Sequence, residues 1–116
     1  KVMRKRQRSK MEWIRPGYDG NDMIEKYVND YFRKPTSFPA LVYASQLMQA
    51  LAFESAIEAH RAAKPHCMGS LYWQINDCWP TTSWASMDYF GNWKAAHYAI
   101  REAFAPVVAL PYTEKG

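Results

Sequence analysis

The sequence predicts an α/β unit in which helix, strand and helix follow one another, as they would in the last part of a (β/α)8 barrel. Three observations predict it. A long apolar helical pattern runs from about residue 38 to residue 63 and stops before Pro65. A short extended run, Met68 to Ile75, follows it. Here Leu71, Trp73 and Ile75 fall on one side, with Ser70, Tyr72, Gln74 and Asn76 on the other, which suits a strand covered on both faces. An alanine-rich stretch from Trp93 to Phe104 then reads as a closing helix. Polar and indole groups gather at the C-terminal end of the strand, where parallel-sheet proteins keep their chemistry.

The elements can be justified in order. Six of the 15 basic residues lie within residues 1–10 (Lys1, Arg4, Lys5, Arg6, Arg8, Lys10), with no acid among them. The net charge of +4 therefore arises at that end, and nine basic residues against 11 acidic ones remain elsewhere. Such a body does not suit a nucleic-acid-binding surface, and the basic run reads as a solvated helix face or chain end. No run approaches the roughly 18 apolar residues that a membrane span needs, so neither nucleic acid nor membrane is an expected partner. A start at Lys1 rather than methionine suggests a piece of something longer.

Pro16-Gly17 and Asp19-Gly20 mark a loop. A short helix is expected from about Asn21 to Phe32, with Asn21 or Asp22 as its cap and Met23, Tyr27 and Tyr31 in its apolar stripe. Pro35 stops it. Ser37 should cap the long helix, about Phe38 to Ala63, with Pro39 in the first turn, where a missing N–H costs nothing. Apolar character spreads most of the way round this helix, so it should be wedged between neighbours. After the strand, Thr81-Thr82-Ser83 and Gly91-Asn92 turn the chain. Val107 to Leu110 reads as a second short strand, and neither strand has a visible mate. Cys67 and Cys78 flank the first strand. An extended chain would hold them about 30 Å apart, beyond disulfide reach, and their spacing matches no zinc pattern. Free thiols, no metal and no cofactor are the expectation.

The run Gly69-Ser70-Leu71-Tyr72-Trp73-Gln74-Ile75-Asn76-Asp77, followed by Trp79-Pro80, Ser83-Trp84, Asp88-Tyr89, Gly91-Asn92-Trp93-Lys94 and His97-Tyr98, resembles the β-mannosidases of glycoside hydrolase family 2. The likeness reaches upstream through Gln46, Gln49, Ala59-His60-Arg61 and Pro65, and downstream through Phe104-Ala105-Pro106-Val107, covering roughly residues 20 to 110. It implies that residues 1–104 are the C-terminal portion of a (β/α)8 glycosidase barrel, comprising helix 7, strand 8 and helix 8. Residues 105–116 would be a linker and the first strand of a following β-sandwich domain. The activity implied is retaining exo-hydrolysis of terminal β-D-mannosyl residues from an oligosaccharide or glycan, without a cofactor. The implied partners are the rest of the barrel and the flanking β-sandwich domains, and the implied setting is periplasmic, secreted or lysosomal.

Retaining glycosidases use two carboxylates about 5–5.5 Å apart. The resemblance implies two glutamates on motifs that have no match in this chain, so no catalytic residue is assigned here and the segment alone is expected to be inactive. Glu54 and Glu58 share the polar end of a helix, where solvated charge is the ordinary explanation. Asp77 and Asp88 do not read as a catalytic pair, and Ser83 has no base beside it in sequence. The substrate-binding candidates are Trp73, Gln74, Asn76, Asp77 and Trp79. An indole face suits a pyranose ring, and the resemblance implies that Trp73 floors the mannosyl subsite with a cis bond to Gln74. Asn76 and Asp77 can bond sugar hydroxyls or hold the loop through its backbone. Gln74 orients Trp73 or a neighbouring carboxylate. The alternative reading is a stand-alone aromatic-rich module that binds carbohydrate without catalysis.

Overall fold

The computed structural model describes residues 14–15, 17 and 19–110. The basic segment at residues 1–10 and the expected β-sandwich residues 111–116 lie outside them. Helix α1 spans Gly20–Tyr31. Its cap is Asp19, not Asn21 or Asp22: the Asp19 carboxylate accepts from the Asn21 N–H at 2.7 Å and from the Asn21 side-chain amide at 3.1 Å. Asn21 therefore enters the first turn and is buried.

Helix α2 spans Phe38–Ala62. As expected, the Ser37 hydroxyl caps it, accepting from the Ala40 N–H at 3.3 Å, and Pro39 sits in the first turn. The peptide bond between Lys64 and Pro65, just past its end, is cis. Ala44, Ala50 and Ile57 are buried along α2, but Tyr43 and Leu51 face solvent, so the helix is only partly wedged.

Helix α3 spans Ala95–Ala103, two residues later than its composition suggests. Trp93 and Lys94 are held extended instead. Met87 bridges Trp93 in antiparallel fashion, and the Lys94 N–H donates to the Ser86 carbonyl at 2.9 Å. The core lies between α2 and α3: Ile57 packs with Ala96, Ile100 and Ala103, and Phe53 and Tyr72 lie against them. The two alanines of the seam, Ala96 and Ala103, let the backbones approach closely. The Arg61 guanidinium fastens the far end, donating to the carbonyls of Ala103 and Ala105 at 2.6 Å each. The Ala103 carbonyl is one that the end of α3 leaves without a helical partner, and Ala105 follows just past that end.

The expected strands do not form. Among the described residues there are helices and irregular segments but no β-strand. The chain is therefore not the helix–strand–helix piece of a (β/α)8 barrel running into a β-sandwich. The run 68–75 is extended, yet its pairing is limited to one parallel bridge, Asn76 to Met87. In it the Gln74 and Ile75 carbonyls accept from the N–H groups of Ser86 and Met87 at 3.0 and 2.8 Å. Residues 107–110 are likewise outside any ladder. The physical reason is that an alternating pattern specifies which side chains share a face, whereas a strand also needs a neighbouring backbone along its length.

Candidate functional site

The site is built in the connection between α2 and α3. Its first part is held by the inward-facing residues of the extended run. The Ser70 hydroxyl lies 2.8 Å from His60 Nδ1. Tyr72 meets the Phe53 ring edge-on at 5.4 Å, and its hydroxyl lies 3.0 Å from Ser86 Oγ. With Ser70, Tyr72 and Gln74 turned in, the alternate residues turn out. Leu71 is fully exposed, Trp73 is 71% exposed, and Ile75 is also open to solvent. The Trp73–Gln74 peptide bond is cis, as expected.

The second part is a loop closed by charge. Asp77 is buried. Its carboxylate accepts from the Ser83 hydroxyl at 2.7 Å, and Lys94 Nζ stands 3.6 Å from the same oxygen. Lys94 Nζ also donates to the Ser83 hydroxyl and carbonyl, at 3.3 and 3.4 Å. The Ser83 hydroxyl further accepts from the Ala85 N–H at 3.1 Å. Two α2 glutamines complete the frame. Gln49 donates to the Trp84 carbonyl at 2.8 Å, and Gln46 accepts from the Ala95 N–H at 3.3 Å. The Trp84 indole is left exposed.

A third part is the turn 88–92. Asp88 accepts from the N–H groups of Phe90 and Asn92 at 2.9 Å each and from the Asn92 side-chain amide at 3.0 Å. The Asn92 side-chain amide, then its backbone N–H, holds the Asp88 carboxyl below the usual carboxylate range. Gly91 takes a φ of 86°, which disfavours other residues there. The turn displays Tyr89 and Phe90 to solvent. Beyond it, Trp93 stacks on His97 with ring centres 3.7 Å apart.

Ser83 does gain a basic neighbour in space, Lys94, which the local sequence did not suggest. Its proton is already directed at Asp77, and Lys94 faces the same carboxylate, so the trio is a closed hydrogen-bond set and not an activated nucleophile. Cys67 and Cys78 are free thiols. Among the described residues no three His, Cys, Asp or Glu side chains converge as a metal site would require. No described helix is long and apolar enough to cross a membrane.

Most of the chain aligns with curated β-mannosidases. The β-mannosidase of Mus musculus is 35% identical over 111 aligned residues, which cover 84% of this chain and 13% of the mouse protein. That of Capra hircus is 34% identical, covering 84% of this chain and 12% of the goat protein. The chain belongs with the β-mannosidases. β-Mannosidase A of Aspergillus terreus is 39% identical over 79 residues, which cover 66% of this chain and 8% of the fungal protein. The chain thus spans about one-eighth of the length of the mammalian β-mannosidases that it matches. No family model matches it.

Within this β-mannosidase segment the five sequence-predicted binding residues divide. Trp73, Asn76 and Trp79 are exposed, Gln74 is half-buried, and Asp77 is buried beneath the loop. Sequence reasoning missed Lys94, Ser83, Gln46 and Gln49 as the groups that hold this surface in place. Gln46 and Gln49, three residues apart on the long helix, were the one available signal: amides on a largely apolar helix need partners somewhere.

Proposed function

We propose that this chain is the sugar-contacting part of a longer β-mannosidase, a glycoside hydrolase that releases terminal β-D-mannosyl residues with retention of configuration. The single observation that carries this reading is the identity of about 35% with curated β-mannosidases across 84% of the chain. In this proposal the open indole of Trp73 supplies a flat, polarisable face for a mannosyl ring. Asn76 and Trp79 flank it with hydrogen-bonding groups, and Gln74 steadies the indole from its half-buried position. The two catalytic carboxylates belong to other parts of the longer protein. A unit boundary follows Phe104, the residue just past the end of α3, and the remainder of the longer chain and a β-mannosidic glycan are the partners.

The test is hydrolysis of an aryl β-D-mannoside by the longer protein, with and without Trp73→Ala. Loss of one ring-stacking contact should lower kcat/KM by about tenfold, with the product retaining the β configuration at early times. Absence of β-mannoside turnover by the unaltered protein, alongside saturable mannoside quenching of its tryptophan fluorescence, would replace this reading with a non-catalytic carbohydrate-binding module.

A further inference from the structure

We propose that Lys94 is a positioning residue for this sugar-contacting surface, and that Asp77 is its buried counter-charge and not a sugar ligand. The inference rests on the β-mannosidase reading for what the surface binds, but not for how the surface is held. Lys94 grips both ends of the loop. Its backbone N–H takes the Ser86 carbonyl at 2.9 Å. Its ammonium reaches Ser83 at 3.3 Å and the Asp77 carboxylate at 3.6 Å.

The Asp77 and Lys94 side chains are only 4% and 13% exposed, so the pair is largely removed from water. Taking charges out of water is costly unless partners compensate them, and here the Ser83 hydroxyl and the opposite charge are those partners. A carboxylate only 4% exposed, with Ser83 and Lys94 on one of its oxygens, is poorly placed to meet a sugar hydroxyl. It can instead set the level at which Asn76 and Trp79, its neighbours in sequence, stand above it.

Lys94 also transmits a reference frame. It immediately precedes α3, whose Ala96 and Ile100 pack against Ile57 of α2. The next residue, Ala95, donates its N–H to Gln46 of α2. Lys94 thus ties the loop to the packed helix pair, beside the Gln49 bond to the Trp84 carbonyl, and loss of its side chain should blur the sugar surface while leaving the helices in place.

The experiment compares Lys94→Met, Asp77→Asn and the double variant in the longer β-mannosidase that carries this chain. Steady-state hydrolysis of an aryl β-D-mannoside is measured together with amide hydrogen exchange of peptides covering 77–87 and α2. Lys94→Met should raise KM by about tenfold while kcat changes by less than about threefold. It should also speed exchange in 77–87 but not in α2. The double variant, in which neither charge is left unpaired, should recover most of the exchange protection and a KM within about threefold of the parent. The milder Ser83→Ala should shift KM in the same direction, which keeps the test open if Lys94→Met folds poorly.

Asp77→Asn that is as damaging in the double variant as alone would make Asp77 a sugar ligand and overturn the proposal, as would unchanged exchange in Lys94→Met. If the unaltered protein turns over no β-mannoside, the functional reading fails, and the exchange data alone decide the role of Lys94.

Discussion

Two apolar regions of this molecule meet water in opposite ways. At the α2–α3 seam, Ile57, Ala96, Ile100 and Ala103 are buried. In the extended run, Leu71, Trp73 and Ile75 point outward, and Leu71 is fully exposed. Hydrophobicity does not separate them. A helix satisfies its own backbone, so one neighbour is enough to bury its stripe. An extended run must find hydrogen-bond partners outside itself before its faces can be covered. This one has a two-bond attachment to Ser86 and Met87. Its inward residues are held by side chains, Tyr72 on Phe53 and Ser70 by His60, and its outward residues remain a surface.

Substitutions can break or sharpen this contrast. The largest effect is expected at the seam. Ile100→Ala should destabilise the chain by about 2–5 kcal/mol, read as a fall in the urea midpoint. A loss of only a few tenths would show that the seam is not the core. Next comes the turn. Gly91→Ala forces a side chain onto a backbone with φ of 86°, although the space around it is open. It should cost about 1–2 kcal/mol, whereas Gly69→Ala, with ordinary φ and equally open space, should change stability by less than about 1 kcal/mol.

On the outer side of the extended run, Leu71→Ser and Ile75→Ser should each leave stability within about 0.5 kcal/mol of the parent. They should also reduce binding of a hydrophobic dye, because they remove exposed apolar surface and not core. A large loss of stability from either would mean that the run is buried in solution.

The smallest effect is a pH response confined to the turn. Asp88 has its carboxyl lowered by Asn92, so its contribution is present at neutral pH and is lost as the pH falls through that lowered value. Protection factors at Phe90 and Asn92 should fall only in acid, below the usual carboxylate range. Asp88→Ala should remove the response, and persistence of the same acid transition in that variant would assign it to another group.

Much of the helical framework was legible. Ser37 and Pro39 announced the start of α2 because a cap and a first-turn proline act within four residues. Asp19 caps the helix where the sequence offers Asn21 and Asp22 equally, since all three residues can cap and only the backbone shows which one precedes the helix. The candidate site residues stood together in one motif, but which of them would be buried was not legible. Trp73 and Asp77 belong to one motif, yet the first is open and the second is covered. Nothing within that motif reveals the difference, because the groups that cover Asp77 arrive from Ser83 and Lys94.

The order of residues by itself determined that the helices would form and where α2 begins, which side chains of the run 68–76 share a face, and which kind of protein the chain is related to. These follow from interactions among near neighbours in the chain and from the motif itself. Tertiary structure alone decided that the run would not become a strand, that Lys94 would turn inward, and that Asp77 would lie beneath the surface it helps to form. Each of those outcomes depends on a partner that is distant in sequence, and local pattern carries no record of which distant group will arrive.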